Sequence, residues 1–249
     1  MIDPIALIEL TNLKAAGKLV DLAKHPQLAM KPEWMDELVI DEHWLVRASL
    51  ARNLSIANYP AIIERLSKDR DPDDPSIRMY LAQNPAIANF SEIIERLFTD
   101  KHPEVRRYLA RNPALANYPK ILEKLSNDED SRVSESLATN PAISTIPRVV
   151  EKLAKNKSTD VREALSSNPS MANYPEIIER LSTDKHWIVR KALVKNPAIA
   201  NFPEIIEKLA SDESLSVQCC LAENPAIHPR TVNAQPSPTQ PAVKKAPTL

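Results

Sequence analysis

Few side chains in this sequence could carry chemistry, and their spacing limits what that chemistry would be. His43, His102 and His186 occupy one and the same place in a recurring pattern. Imidazoles that share a metal ion must converge on it. These three come from non-neighbouring units and, at roughly 10 Å per stacked helix layer, stand tens of Å apart. Each is therefore expected to cap or turn its own helix. Cys219 and Cys220 are the only cysteines. Adjacent thiols with no flanking histidine match no metal spacing and form no disulfide framework, so one is expected at the surface and one half-buried. No Ser/His/Asp arrangement and no paired-carboxylate motif stands out. The expectation is a chain that is not an enzyme and that holds no metal and no cofactor.

What remains is binding chemistry, and the elements that would position it are set by repetition. The phrase "LARNPALANYPKILEKL" at 109–125 returns as "LVKNPAIANFPEIIEKL" at 193–209. Asn-Pro pairs fall at 84, 112, 140, 168, 196 and 224, a constant step of 28, with Asn53-Leu54 and His25-Pro26 in the earlier places. A second proline keeps register at Pro4, Pro32, Pro60, Pro119, Pro147, Pro175 and Pro203, and Ser91 stands in once. Three extra residues sit in the acidic stretch "KDRDPDDPS" at 68–76. Periodicity of this kind marks a solenoid, with units starting near 4, 32, 60, 91, 119, 147, 175 and 203.

Two short helices can be read in each unit. Helix A follows the second proline, as in "PEIIERLSTD" at 175–184, where Ile177, Ile178 and Leu181 share one face. Asn173 with Glu176, Asn89 with Glu92 and Asn201 with Glu204 have capping-box spacing. Helix B is typified by "PEVRRYLARN" at 103–112, with Val105, Tyr108 and Leu109 on one face. Its N-cap falls on His102, Asp74, Asp130, Ser158 or Ser214. Asn-Pro would stop it, the Asn taking a left-handed conformation. One unit has too little apolar surface to offset the entropy of ordering it, so units must stack on both neighbours. The fold class expected is all-α, an α-solenoid (α–α superhelix) of about eight 28-residue two-helix repeats. It spans 1–229, followed by a disordered Pro-rich tail at 230–249.

Composition agrees. The sequence has 22 prolines and one glycine, Gly17. Gly-rich phosphate loops and Rossmann turns are thereby disfavoured. Net charge is −1, from 32 basic and 33 acidic residues, which is not the footprint of a nucleic-acid binder. No apolar run approaches membrane-spanning length and the N-terminus has no basic leader, so a cytoplasmic chain is expected, with no membrane partner.

The motif read in full at 105–128, "VRRYLARNP" followed by "YPKILEKLSND", resembles the leucine-rich repeat variant family crossed with HEAT-like repeats. The resemblance covers residues 4 to about 230. It implies a superhelical scaffold that binds other macromolecules. It also implies an inter-repeat Asp/Arg ladder at Asp41/Arg47, Asp100/Arg106 and Asp184/Arg190, stretched at Asp69/Arg78. Departures fall at Asp128/Ser134, Asn156/Arg162 and Asp212/Gln218. The iron–sulfur cluster of one variant-repeat protein needs a cysteine cluster that is missing here, so it is not carried over. HEAT-like DNA-repair glycosylases and HEAT-like lyases supply the alternatives: nucleic-acid binding, or lyase chemistry for which no cofactor-shaped motif is visible.

The informative positions are those that vary while the scaffold repeats. On helix B, residues 107 and 111 point away from the Val/Leu face. Their counterparts form a column: Ala48/Arg52, Met79/Gln83, Arg107/Arg111, Glu135/Thr139, Glu163/Ser167, Lys191/Lys195 and Cys219/Glu223. If B helices line a concave side, this column is the floor of a groove. Its blocks of alternating charge suit an extended protein partner of complementary charge, and the interruption at Glu135 and Glu163 disfavours nucleic acid. The row Tyr59, Phe90, Tyr118, Ile146, Tyr174 and Phe202 is expected to staple neighbouring units. Trp34 is expected in the core, and Trp44 and Trp187, which begin B helices, nearer the surface.

Overall fold

The computed structural model describes residues 11–14, 17–69 and 74–227. The helix expected after Pro4, most of the insertion (70–73) and the tail from 230 lie outside the described residues. Helices alternate along the chain. The B type comprises α1 (Leu19–Lys24), α3 (Trp44–Arg52), α5 (Ser76–Gln83), α7 (Pro103–Ala110), α9 (Ser131–Ala138), α11 (Thr159–Ser166), α13 (Trp187–Lys195) and α15 (Leu215–Ala222). The A type comprises α2 (Pro32–Leu38), α4 (Pro60–Ser67), α6 (Ser91–Phe98), α8 (Pro119–Leu125), α10 (Pro147–Ala154), α12 (Pro175–Ser182) and α14 (Pro203–Ala210). Each packs on its counterparts in the adjoining units, and the B helices approach one another most closely. The architecture is an all-α solenoid. A single apolar core runs from Leu19 to Leu221, so no unit has a core of its own and stability is shared between neighbours.

A third element completes each unit. The "PALAN" segment is not a linker but a turn of 3₁₀ helix, seen at Pro26–Met30, Leu54–Asn58, Pro85–Asn89, Pro113–Asn117, Pro141–Thr145, Pro169–Asn173 and Pro197–Asn201. Its middle residue, such as Leu115 or Ile143, is fully buried. The segment is short because 3₁₀ bonding is strained over longer runs. The helix A following it starts with Pro in every described unit but the fourth, where Ser91 stands in, and a missing N–H costs nothing in the first turn.

This third element changes the meaning of the repeated Asn. Asn112 takes φ −70° and ψ 123°, extended backbone rather than a left-handed cap. Gly17, at φ 67°, has the one positive φ among the described residues. The Asn instead starts the 3₁₀ turn: its Oδ1 accepts the Ala114 N–H at 2.9 Å. Its Nδ2 donates to two carbonyls of the preceding unit, Ala82 at 2.7 Å and Asn84 at 3.1 Å. The arrangement recurs at Asn53, Asn84, Asn140, Asn168 and Asn196. Asn224 closes it with a bond to the Val194 carbonyl. All are buried. An amide carries one acceptor and two donors, which is what the site consumes. The small residue at the end of helix B (Ala51, Ala82, Ala110, Ala138) leaves its carbonyl within reach of the next unit's Asn.

The expected capping boxes do not form. Asn89, Asn173 and Asn201 end 3₁₀ turns and are exposed. The residue that precedes helix A is the aromatic one, and its side chain makes no cap bond. The backbone carbonyl of Tyr174 takes the Ile177 and Ile178 N–H groups directly. The aromatic row packs against the core, and the Tyr118 and Tyr174 hydroxyls donate to the Ala88 and Ser144 carbonyls of the unit before, at 2.8 and 2.6 Å. Trp34 is half-buried against the same core.

Candidate interaction surface

The turns that join each A helix to its B helix carry aspartates, and the first turn of the B helix carries the arginines that meet them. Arg106 donates from Nε and Nη2 to the two oxygens of Asp128, at 2.7 and 2.9 Å, and from Nη1 to the Asp100 carbonyl at 2.8 Å. The six-residue Asp/Arg spacing therefore acts through a backbone carbonyl. The charge partner lies 22 residues onward, in the next unit. The pairs are Arg47–Asp69, Arg78–Asp100, Arg106–Asp128, Arg162–Asp184 and Arg190–Asp212. In each, Nη1 reaches back to residue 41, 69, 100, 156 or 184 of its own unit. Asp100, Asp128, Asp184 and Asp212 also accept an N–H two residues on, as at His102 and His186. Hydrogen bonding from Arg190 holds the Asp212 carboxyl below its ordinary range. At Asp184 burial pushes the carboxyl up, but the Arg162 bond and the His186 N–H outweigh it, and the net shift is downward. The ends are adapted: Lys14 stands 3.5 Å from Asp41, and Gln218 keeps only the carbonyl bond, to Asp212 at 2.6 Å.

One junction is different. Between the fifth and sixth units the Arg position holds Ser134, and the Asp position that would face it holds Asn156. The two departures, unrelated by the six-residue spacing, are the two halves of one missing pair. Asn156 still caps its turn by accepting the Ser158 N–H at 2.9 Å. An Asp there would be a half-buried carboxylate without its cation, so the amide keeps the turn and drops the charge.

On the B helices, the positions equivalent to 111 are exposed in every unit: Arg52, Gln83, Arg111, Thr139, Ser167, Lys195 and Glu223. The positions one turn earlier are more covered. Ala48 is buried, Met79, Arg107, Glu135, Glu163 and Lys191 are half-buried, and Cys219 is exposed. Several of the cations are engaged internally. Arg107 pairs with Glu104 at 3.0 Å, the Arg52 guanidinium lies 3.5 Å over the Tyr80 ring, and Lys191 sits 5.4 Å over Trp187. Arg111 and Lys195 have no such partner among the described residues.

Another turn back, the same face carries exposed apolar groups that residue spacing did not single out as a set. Trp44 is 39% and Trp187 42% exposed, joined by Leu45, Ile188 and Leu215. From the third unit onward the remaining residues at these two positions are Pro, Ser, Thr, Glu, Arg and Asp. The signal was present as apolar residues where the B-helix start is otherwise polar.

The histidines stay one per turn. His43 and His102 accept the N–H of Leu45 and Glu104 through Nδ1, at 3.3 Å each, whereas the His186 ring caps nothing. Asp74 and Asp130 accept in the same way from Ser76 and Arg132, while the Ser158 and Ser214 hydroxyls do not cap. Cys219 is exposed and Cys220 half-buried. Among the described residues no helix is long and apolar enough to cross a membrane.

No protein-family model matches this sequence, and no curated protein matches it. Among solved structures it is similar to one described as a leucine-rich repeat variant with a novel repetitive protein structural motif. The identity is 20%, over 77% of this chain and 70% of that one, with a TM-score of 0.47.

Proposed function

We propose that the chain is a non-catalytic scaffold that holds a protein partner along the face built by its B helices. One observation carries this reading. The seven positions from Arg52 to Glu223 form an exposed row whose chemistry changes from unit to unit, while the repeated polar positions beside them are consumed by bonds within the fold. The B helices are the row of closest approach, which favours the inner side of a curved stack. Exposed Trp44 and Trp187 flank a charged middle, and Trp and Arg are the residue types that most often anchor interfaces. Five units separate the two tryptophans, roughly 50 Å at about 10 Å per layer, so a partner that touches both is an extended segment or a long helix.

The test compares the wild type with R111E/K195E/W187A in affinity capture followed by binding of the recovered, purified partner, with and without nuclease. All three side chains are exposed and outside the ladders, so the variant should fold. A defined protein bound by the wild type after nuclease, and bound at least about tenfold more weakly by the variant, supports the reading. Equal binding by both proteins moves the site off the B face. Recovery abolished by nuclease makes the partner a nucleic acid.

A further inference from the structure

The turn at the broken junction carries more than a missing carboxylate. In the other units from the second to the eighth, the A-to-B turn has an Asp at the ladder position, as in Asp41-Glu42, Asp128-Glu129-Asp130 and Asp212-Glu213. The sixth unit alone has none and reads Lys155-Asn156-Lys157. Two open depressions of about 580 and 470 Å³ share this turn as their common wall. Arg148 and Lys152 of α10 line the first, and Arg180 and Lys185 of the seventh unit line the second. The nearby acids are already engaged: Glu151 bonds Lys155 at 2.5 Å, and Asp184 is held by Arg162. Arg148, Lys152, Lys157, Arg180 and Lys185 face solvent or its edge with no carboxylate bound to them among the described residues. Five cations are thus gathered where the scaffold has also removed its own anion.

We propose that this edge is a second binding site, distinct from the B face, which takes a short acidic segment of a protein partner through its carboxylates. The patch spans two units, roughly 20 Å at about 10 Å per layer. On one side lies Asp128-Glu129-Asp130 and on the other Asp212-Glu213. A nucleic-acid strand continuing past the patch would run its phosphates into these acids, and no exposed aromatic ring lines either depression to stack a base. A peptide with a few carboxylates fits between the acidic borders, and those borders set its length and register by repulsion. The same logic gives Asn156 a role: an Asp there would place a negative charge at the centre of the site.

The experiment titrates full-length protein against a fluorescently labelled oligo-glutamate peptide, with oligo-glutamine and a single-stranded oligonucleotide of equal charge as comparators. The expected result is salt-sensitive binding of oligo-glutamate over both comparators. The K152E/K157E/K185E variant should weaken it at least about tenfold, N156D should weaken it about two- to fivefold, and R111E/K195E on the B face should leave it unchanged. Circular dichroism of each variant establishes that it is folded. Absence of oligo-glutamate binding at low salt, equal binding by the triple variant, or tighter binding of the oligonucleotide would each overturn the proposal. None of these outcomes bears on the B-face reading, whose variant and readout are separate.

Discussion

Two polar ladders run the length of this solenoid, and they tolerate interruption differently. The Asn ladder, from Asn53 to Asn224, is present at every described junction. The Arg–Asp ladder skips one, at Ser134 and Asn156. Both sit between units and both satisfy backbone carbonyls. The difference is what is left behind when a rung is removed. Take away the Asn, and one buried carbonyl and one N–H lose their partners, while the second carbonyl is left with a single bond from its own 3₁₀ turn. Take away Arg and Asp together, and the turn survives on an amide. A buried neutral rung is therefore indispensable, while a charged rung at the edge can be dropped as a matched pair.

The sharpest way to break this comparison is to remove one Asn. Asn140→Ala strands the Ala110 carbonyl and the Ala142 N–H, and takes one of two bonds from the Asn112 carbonyl, which keeps the Leu115 N–H. At roughly 1–2 kcal/mol for each unsatisfied group, a loss of about 3 kcal/mol is expected in urea unfolding. Asn140→Asp should cost more at neutral pH, because it points a carboxylate at two carbonyl oxygens. Asn224→Ala, at the last rung, should cost less than the central substitution, since it releases one carbonyl, Val194, besides the Ala226 N–H, and no described unit stacks beyond it. Equal losses at Asn140 and Asn224 would mean that the ladder is not cooperative along the stack.

Next in size is a half-removal of the charged ladder. Arg106→Ala leaves Asp128 half-buried without its cation and the Asp100 carbonyl without a donor. We expect about 2 kcal/mol, moderated because Asp128 keeps the Asp130 N–H bond. Arg106→Ala combined with Asp128→Asn recreates the natural gap at a second junction and should recover part of that loss. If the double variant is no better than the single, the pairing of Ser134 with Asn156 is coincidental.

The ladder also fixes the acid response. The folded-state pKa values of Asp184 and Asp212 lie below ordinary, and the unfolded value is about 3.9. The sign follows: the stability these carboxylates contribute is complete above about pH 5 and is lost as pH falls through about 4 toward the folded pKa. Urea midpoints should be flat from about pH 7 to 5 and then fall. In an R190M variant Asp212 loses its main stabilising bond, so the fall should be shallower. An unchanged slope would show that other acids control it, with Glu64 a poor candidate. Its pKa is lowered to about 2 by the Arg96 and Lys68 bonds, but it sits at the surface where screening leaves little stability.

How much of this could be read beforehand depends on which partner a residue has. The helices, their prolines and the apolar faces were legible because they are local and periodic. The role of Asn112 was not, because its acceptors are backbone carbonyls 28 and 30 residues away that carry no sequence signature. The Arg–Asp register was degenerate for a simpler reason: with a 28-residue period, six back and 22 forward are the same repeat position. The insertion at 68–76 breaks the degeneracy, since Arg78 is nine residues from Asp69 but still 22 from Asp100. The constant spacing was the forward one. On the B face, the exposure of Arg111 and Lys195 followed from helical geometry, whereas the loss of Arg52 to the Tyr80 ring depended on how closely adjoining units stack.

The smallest expected effect is also the most discriminating. Restoring the skipped rung with Ser134→Arg and Asn156→Asp tests whether the gap is a place where the scaffold surrendered stability. Asn156→Asp alone adds a carboxylate that no guanidinium at position 134 can meet, though Lys155 and Lys157 beside it blunt the cost. Ser134→Arg alone puts a guanidinium beside the Leu125 carbonyl that the Ser134 hydroxyl now faces, with no anion opposite. Together the two new side chains should bond as Arg106 does with Asp128, with a coupling energy of about 1 kcal/mol in a double-mutant cycle. A positive coupling with net stabilisation means that the natural sequence keeps a weaker junction than its own repeat allows, which is expected where the freed edge serves binding rather than stacking. Zero coupling would mean that the fifth and sixth units do not bring these positions into the same register as the rest.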